Sequence, residues 1–304
     1  MSGERSPEYF EDHGLETTEV PRKKFVGVYF GGGRLSNREY KALIELGGLP
    51  TAAKIIGALD QVSSINRIVA IVPAVDYLQP FLAVNKPLHI IEASDLLIDN
   101  VQSAASAIQP EEHTVILLSD IPFVSPKSLE DLLRESSTHS ITIPLILAVD
   151  VEMLEGLHNL HFYPSRDYGY FQLGNAAVIP SGVQSKVRAN LERFSRYYRD
   201  KSFRGNFFGK LKMALELAGF LGVAVGVRVW VSANLQHAGY PRLDRVFLSP
   251  TLETYRNVIN RIANTQTNLK HGPYKSMFLD IDYPEDLDLV RKNYELLRRL
   301  MEGG

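Results

Sequence analysis

Between Phe25 and Ala148 the chain repeats one pattern: a short, continuous apolar run, a turn, then a longer stretch of helical character. The apolar runs lie at Phe25–Phe30, Arg67–Val72, Leu88–Glu92, Thr114–Leu118 and Ile141–Ala148. The helix-like segments lie at Pro50–Val62, Val75–Val84, Ser94–Ile108 and Pro126–Glu135. A strand that is apolar throughout is buried on both faces. Strand–helix alternation brings right-handed crossovers and a mainly parallel sheet with helices on both sides. The expected fold class is therefore α/β, built on a mainly parallel, doubly wound sheet.

A sheet of this kind binds ligands at the carboxyl ends of its strands. Two acidic turns far apart in the chain belong at such ends: Leu117-Leu118-Ser119-Asp120-Ile121-Pro122-Phe123 and Asp280-Ile281-Asp282-Tyr283-Pro284-Glu285-Asp286-Leu287. Each follows an apolar run and leads into a helical pattern. If Asp120 and Asp282 converge on one rim, they form an oxygen site for Mg²⁺ and the phosphates it escorts. The competing reading is that each Asp caps the following helix. Asp286 and Asp288 read as first-turn charges favoured by the helix dipole. Asp280 and Asp282 are two residues apart in a strand-like run, so they point the same way, which suits a shared cation better than an acid/base pair.

A third element is Val26-Gly27-Val28-Tyr29-Phe30-Gly31-Gly32-Gly33-Arg34, followed by Lys41-Ala42-Leu43 and Gly47-Gly48-Leu49-Pro50-Thr51. It reads as first strand, glycine loop, basic residue and a turn that opens a helix. Glycines let backbone approach a phosphate and present N–H groups as a concave anion site. Lys41 offers a point charge to the same phosphates. The loop is neither G-x-G-x-x-G nor G-x-x-x-x-G-K-[ST], which removes the main support for a dinucleotide-binding or P-loop reading.

The order of these motifs resembles the nucleotidyltransferases of GT-A-like fold. Within them the chain is most similar to the branch of molybdenum-cofactor guanylyl- and cytidylyltransferases (the MobA-like NTP transferases), CMP-Kdo synthetase and methylerythritol-phosphate cytidylyltransferase. That group places a Lys and a "G-x-P" turn after the glycine loop. A central strand ends in "D-x-P", matched by Asp120-Ile121-Pro122, and a late strand in "D-[TS]-P-E-D-L", matched by Asp282-Tyr283-Pro284-Glu285-Asp286-Leu287. The resemblance covers Phe25 to Ile179 and Lys275 to the end. It implies that Gly31, Gly32, Gly33 and Arg34 lie along the nucleotide, and that Lys41 contacts its phosphates. It implies that Asp120 and Asp282 hold Mg²⁺, and that Asn100, Gln102 and Ser103 sit beside base and ribose. It puts Asn175, in Leu173-Gly174-Asn175-Ala176, near the acceptor. The stretch Arg34-Leu35-Ser36-Asn37-Arg38-Glu39-Tyr40 is shorter than the family loop and lacks its second glycine, so Arg34 and Arg38 both compete for the phosphate-binding part. Tyr29-Phe30 replaces the small residues usual before the loop.

The 304 residues accommodate one large domain with an insertion, or two modest ones. With 33 basic and 35 acidic residues, the balance argues against nucleic-acid binding. The absence of Cys excludes disulfides, thiolate nucleophiles and zinc–thiolate sites, and is compatible with the cytoplasm. Met1 to Glu19 is acidic and polar, without a signal-peptide pattern. The expected organisation is a flexible arm over 1–24, a nucleotide-binding core over 25–182, a largely helical insertion beside the acceptor over 183–274, and a returning strand with a closing helix over 275–304.

Within the core, Tyr168–Ile179 reads as one strand crossing the rim and Ser181–Arg199 as a helix. Lys186 to Lys212 holds nine basic residues against two acidic, which suits a solvated face, an anionic acceptor or an acidic membrane surface. Leu217–Val227 is uncharged for eleven residues, too short to span a bilayer, which needs about twenty. It reads as buried helix running into a strand over Val223–Val231. Pro250–Asn264 reads as a helix, Asn264–Pro273 as a polar loop, Ser276–Asp282 as the returning strand and Tyr283–Met301 as one amphipathic helix. His158 and His161 read as surface or packing residues, and no G-x-S-x-G elbow supports serine catalysis.

The expected activity is Mg²⁺-dependent transfer of a nucleotide from a nucleoside triphosphate to a small phosphorylated acceptor, a sugar phosphate or cofactor precursor, with release of pyrophosphate. The alternatives are a glycosyltransferase of the same fold using a nucleotide sugar, and a catalytically silent nucleotide-binding protein. The oligomeric state is left open, with a homodimer among the options.

Overall fold

The computed structural model describes residues 24–150, 163–190, 219–229, 231, 249–279, 281 and 283–302. The first half supplies β1 (Phe25–Phe30), β2 (Glu45–Leu46), β3 (Leu49–Pro50), α1 (Thr51–Gln61), β4 (Ile65–Val72), α2 (Val75–Leu78), β5 (Leu88–Glu92), α3 (Leu97–Ala107), β6 (His113–Leu118), α4 (Pro126–Arg134) and β7 (Ile141–Leu147). The second supplies β8 (Tyr163–Ser165), β9 (Gly169–Leu173), β10 (Ala176–Ile179), α5 (Leu252–Ala263), β11 (Thr267–His271), α6 (Pro284–Lys292) and α7 (Tyr294–Glu302). Short 3-10 turns at Lys41–Leu43 and Lys275–Met277 matter to the site.

Among the described residues the main sheet has nine strands, in the order β5-β4-β1-β6-β10-β7-β9-β8, with β11 on β7. Strands β5, β4, β1 and β6 run parallel. Strand β10 lies antiparallel to both β6 and β7, and β11 lies parallel to β7. The carboxyl ends of β1, β6, β7 and β11 therefore share one rim. The sheet is mixed but mostly parallel, with flanking helices.

Period-2 alternation along β1 divides the core. Phe25 and Tyr29 join the large cluster with Ile55, Ile56 and Leu59 of α1 and Leu129 and Leu132 of α4. Val26, Val28 and Phe30 face the other way, into a cluster with Ala104 of α3. Gly27 lets α1 settle on β1, because a Cβ there would lie 3.0 Å from Leu59 Cδ2.

The second half departs from expectation in five places. The strand expected over Tyr168–Ile179 breaks into β9 and β10 at Gly174 and Asn175. There Gly174 N–H donates to Pro144 C=O (2.8 Å) and Asn175 N–H to Met277 C=O (2.8 Å), which takes both out of the ladder. The polar stretch Thr267–His271, expected as a loop in the insertion, is β11, its backbone satisfied along β7. The strand expected over Ser276–Asp282 is, in its described part, a 3-10 turn and an irregular run. That run meets its neighbours through single contacts, Asn175 N–H to Met277 C=O and Gln172 Nε2 to Phe278 C=O (3.5 Å), not through a ladder.

The single closing helix is two, α6 and α7, separated at Asn293, whose Nδ2 and N–H both donate to Leu289 C=O. Residues 219–229 and 231 are helical, with no strand among the described part of Val223–Val231. Of the apolar run, Val225 is buried while Phe220 is 85% exposed and Val227 55% exposed. A helix apolar on every side exposes whichever sides find no neighbour. No helix among the described residues is long and apolar enough to cross a membrane. Leu217, Arg196, Arg204, His158 and His161 lie outside the described residues.

Asp286 is a cap-like residue. Its side chain accepts a hydrogen bond from Tyr283 N–H (3.1 Å) at the start of α6, and it is buried. Asp286→Ala is expected to destabilise the protein by about 1 kcal/mol, whereas Asp286→Asn, whose amide oxygen still accepts from Tyr283 N–H, should lose little, as measured by urea unfolding.

Candidate active site

The register of β1 on β6 pairs Phe30 with Leu118. The residues that follow each strand, Gly31-Gly32-Gly33 and Ser119-Asp120, therefore emerge side by side at the rim. Both contacts of the glycine loop are close. A Cβ on Gly33 would lie 2.4 Å from Ser119 Oγ, and one on Gly32 would lie 2.8 Å from Asn100 Nδ2. On Gly31 it would meet Ile71 C=O at 2.9 Å and Tyr29 Cε1 at 3.0 Å. None of the three has positive φ. Their smallness serves close packing, not an unusual backbone. Gly31 N–H donates to Ile71 C=O (2.6 Å), so any anion contact by this loop falls to Gly32 and Gly33.

The chain then folds back. Arg34 bridges Tyr40, Leu35 N–H donates to Glu39 C=O (2.8 Å), and Lys41 N–H donates to Gly33 C=O (3.0 Å). Arg38 takes φ 74° at the tip. The Arg34 guanidinium stacks 3.8 Å above the Tyr40 ring, contacts the Tyr40 hydroxyl, and pairs with Asp95 at 2.6 Å. Lys41, at the start of its 3-10 turn, is buried and lies 3.4 Å from Asp120 Oδ2. Lys41 thus faces the carboxylate of the D-x-P turn beside Gly33, on which a Cβ would lie 3.7 Å from Lys41 Cδ.

Asp120 Oδ1 is buried without a hydrogen-bond partner among the described residues, and so are Tyr29 Oη and Asn175 Nδ2. An unpaired buried carboxylate oxygen carries a desolvation cost that a cation or a water relieves. Burial, and secondarily the Asp120 charge, push the Tyr29 hydroxyl far above its ordinary range, so it stays a neutral donor. The Asn175 main chain joins the site from the far side, its C=O accepting Leu118 N–H (3.1 Å).

Of the residues expected at the site, Gly31, Gly32, Gly33, Lys41, Asn100 and Asp120 come together, and Asn175 borders them. Asn100 works locally, its side chain accepting Ser94 N–H (2.7 Å) and donating to Ser94 C=O (2.9 Å), which fixes the turn beneath Gly32. Gln102 and Ser103 lie further along α3. Ser103 lines a groove with Arg67 and His89, near the amino ends of β4 and β5. Asp280 and Asp282 lie outside the described residues. Among the described residues no group of three His, Cys, Asp or Glu side chains is placed to hold a metal. Sequence reasoning missed Ser119, Asp95 and the role of Tyr29. The signals were present as a polar residue just before the acidic turn, an acid just past β5, and an aromatic where small residues are usual.

Residues 31–168 match the model of the MobA-like NTP transferase domain. Over that stretch, a little under half of its length, the chain is similar to the MobA-like NTP transferases. A hypothetical transferase from Thermus thermophilus superposes with a TM-score of 0.62 at 17% identity, covering 87% of this chain and 99% of that one. The 4-diphosphocytidyl-2C-methyl-D-erythritol synthase of Anaerococcus prevotii superposes with a TM-score of 0.54 at 9% identity, covering 90% and 96%. At such identities the likeness is one of fold. No curated protein matches the sequence.

Gly33→Ala is expected to cost about 1–3 kcal/mol by overpacking and to weaken nucleotide binding. Ser119 Cβ would still be 3.7 Å from the new methyl, ordinary contact. Adding Ser119→Ala to Gly33→Ala is therefore expected to restore most of the thermal midpoint, a coupling that a double-mutant cycle measures.

Proposed function

We propose that this chain is a nucleotidyltransferase that joins a nucleoside triphosphate to a small phosphorylated acceptor, a sugar phosphate or cofactor precursor, and releases pyrophosphate. The reading rests above all on Asp120, a carboxylate at the carboxyl end of β6 with one oxygen facing Lys41 and the other buried and unpartnered among the described residues. That orphaned oxygen suits a hard cation, and Mg²⁺ is the ion whose chemistry is oxygen ligation beside phosphates. Asp120 would hold it, joined by Asp282 from the segment before α6. When bound, Mg²⁺ supplies charge neutralisation for the attacking and leaving oxygens.

The chain's own groups do the rest by positioning and electrostatics, with no covalent intermediate. The Gly32 and Gly33 amides and the Lys41 ammonium bind the β,γ-phosphates and stabilise the charge that builds on departing pyrophosphate. Arg34 reaches the same phosphates on leaving Asp95. The acceptor phosphate approaches from the β10 side, where Asn175 Nδ2, without a partner among the described residues, donates to one of its oxygens. It attacks the α-phosphorus in line as the α,β-bridging oxygen leaves. We place the enzyme in the cytoplasm, where a chain with 0 Cys needs no oxidising compartment.

The test is a thermal-shift screen of the four ribonucleoside triphosphates with and without Mg²⁺, followed by pyrophosphate release with sugar phosphates. At least one triphosphate is expected to raise the midpoint more with Mg²⁺ than without it. Binding without turnover on any acceptor would favour the silent nucleotide-binding alternative. Asp120→Asn is expected to lower turnover by about a hundredfold or more while the folded state persists. Lys41→Ala is expected to weaken triphosphate binding about tenfold or more and monophosphate binding far less. Equal losses for both ligands would take Lys41 off the β,γ-phosphates.

A further inference from the structure

The Lys41–Asp120 separation is 3.4 Å, long for a charge-assisted hydrogen bond, which closes to about 2.7–2.9 Å when the two groups are free to choose. The backbone segments that carry the two groups both lead to one side chain.

That side chain is Tyr294, the first residue of α7. On one side its ring lies against the turn between β2 and β3. Gly47 there has φ +59°, and a Cβ on it would lie 2.5 Å from Tyr294 Cε1 and 2.7 Å from the hydroxyl oxygen. Gly48 has φ +80° with open space around it. Position 48 thus needs glycine for conformation alone, position 47 for conformation and for the ring. On the other side Tyr294 packs on Phe123, ring centroids 5.6 Å apart, in the turn that begins at Asp120. Lys54 of α1 donates to the Tyr294 hydroxyl and lies 4.9 Å from the ring centre.

Each contact is short in sequence from the site. From Gly47 the hairpin runs back to Ile44, whose C=O accepts Thr51 N–H (2.9 Å) and Thr51 Oγ1 (3.0 Å). Ile44 N–H in turn donates to Lys41 C=O (3.3 Å). From Phe123 the turn closes through Val124 N–H to Ile121 C=O (3.1 Å), next to Asp120. A groove of about 410 Å³ lined by Lys54, Phe123, Ser125, Tyr294 and Arg298 leaves the outer face of this junction uncovered. The ring therefore has room to move once its contacts are cut.

We infer that Tyr294 is a positioning residue for the transfer reaction: its ring clamps the Gly47 turn to the Phe123 turn and thereby sets the distance between Lys41 and Asp120. The inference rests on the reading that Lys41 and Asp120 share the chemistry. Tyr294 acts through these two turns and not on the reacting atoms.

The test combines steady-state kinetics with hydrogen exchange on the full chain. Tyr294→Ala is expected to lower kcat by about tenfold or more, since displacements of an ångström at a reacting centre carry such losses. KM for the triphosphate should change much less. Tyr294→Phe keeps both ring contacts and should retain most of the activity. Gly47→Ala should reproduce the kcat loss, and combining it with Tyr294→Ala should add little. Exchange should quicken in residues 41–50 and 119–125 of Tyr294→Ala and stay slow in β4. Unchanged kcat in Tyr294→Ala, or exchange that quickens equally in β4, would overturn the clamp. If the wild-type chain turns over no triphosphate, the proposed reaction falls instead, and exchange in the two turns still decides whether the clamp exists.

Discussion

Everything at the rim depends on the parallel pairing of β1 with β6. That ladder pairs Phe25 with His113 and continues without a shift to Phe30 and Leu118. Because of it, two segments far apart in the chain leave the sheet at the same height, one without side chains and one with a carboxylate. A one-residue slip would send each strand's side chains to the opposite face. Tyr29 would leave the α1 side, and Gly33 would no longer overlie Ser119. The register is held by burial, since β1 is buried along its whole length and packs into different clusters on its two faces. Hydrophobic patterning here fixes electrostatic geometry.

The first half of the fold was legible because its strands are short apolar runs, mostly buried in β1, β4, β6 and β7 and half-buried in the edge strand β5. β1 and β5 match the apolar runs Phe25–Phe30 and Leu88–Glu92 residue for residue, and β4, β6 and β7 differ only at their ends. The second half was less so, for identifiable reasons. Strand β11 reads Thr-Asn-Leu-Lys-His, and its residues are mostly half-buried. A strand paired along β7 at the flank of a sheet needs little apolar surface, so hydropathy does not reveal it. The break at Gly174 arises because its backbone lies against Pro144, where a Cβ would come within 2.7 Å of the ring. No local pattern encodes that contact.

The site was legible as motifs and not as contacts. Glycine loop, Lys41 and Asp120 could be named from order and spacing. That Lys41 faces Asp120, that Gly31 spends its amide on Ile71, and that Arg34 rests on Tyr40 and Asp95 are consequences of the tertiary fold. Among the described residues, the buried polar atoms without partners, Tyr29 Oη, Asp120 Oδ1, Gln172 Oε1 and Asn175 Nδ2, come from elements read as unrelated in sequence. A protein tolerates such groups where a ligand completes them.

The contact between α7 and the β2–β3 turn also bears on how the molecule assembles. The Lys54–Tyr294 hydrogen bond joins residues 240 positions apart, and Leu297 and Met301 share one hydrophobic cluster with Phe25 and Ile55. Loop-closure entropy makes contacts of such high order late events in folding. During synthesis the strands of the first half can pair as they emerge, but the wall behind the Gly47 turn must wait for α7. A nascent chain would thus hold a formed β1–β6 ladder while the Gly47 and Phe123 turns still lacked the ring they share in α7.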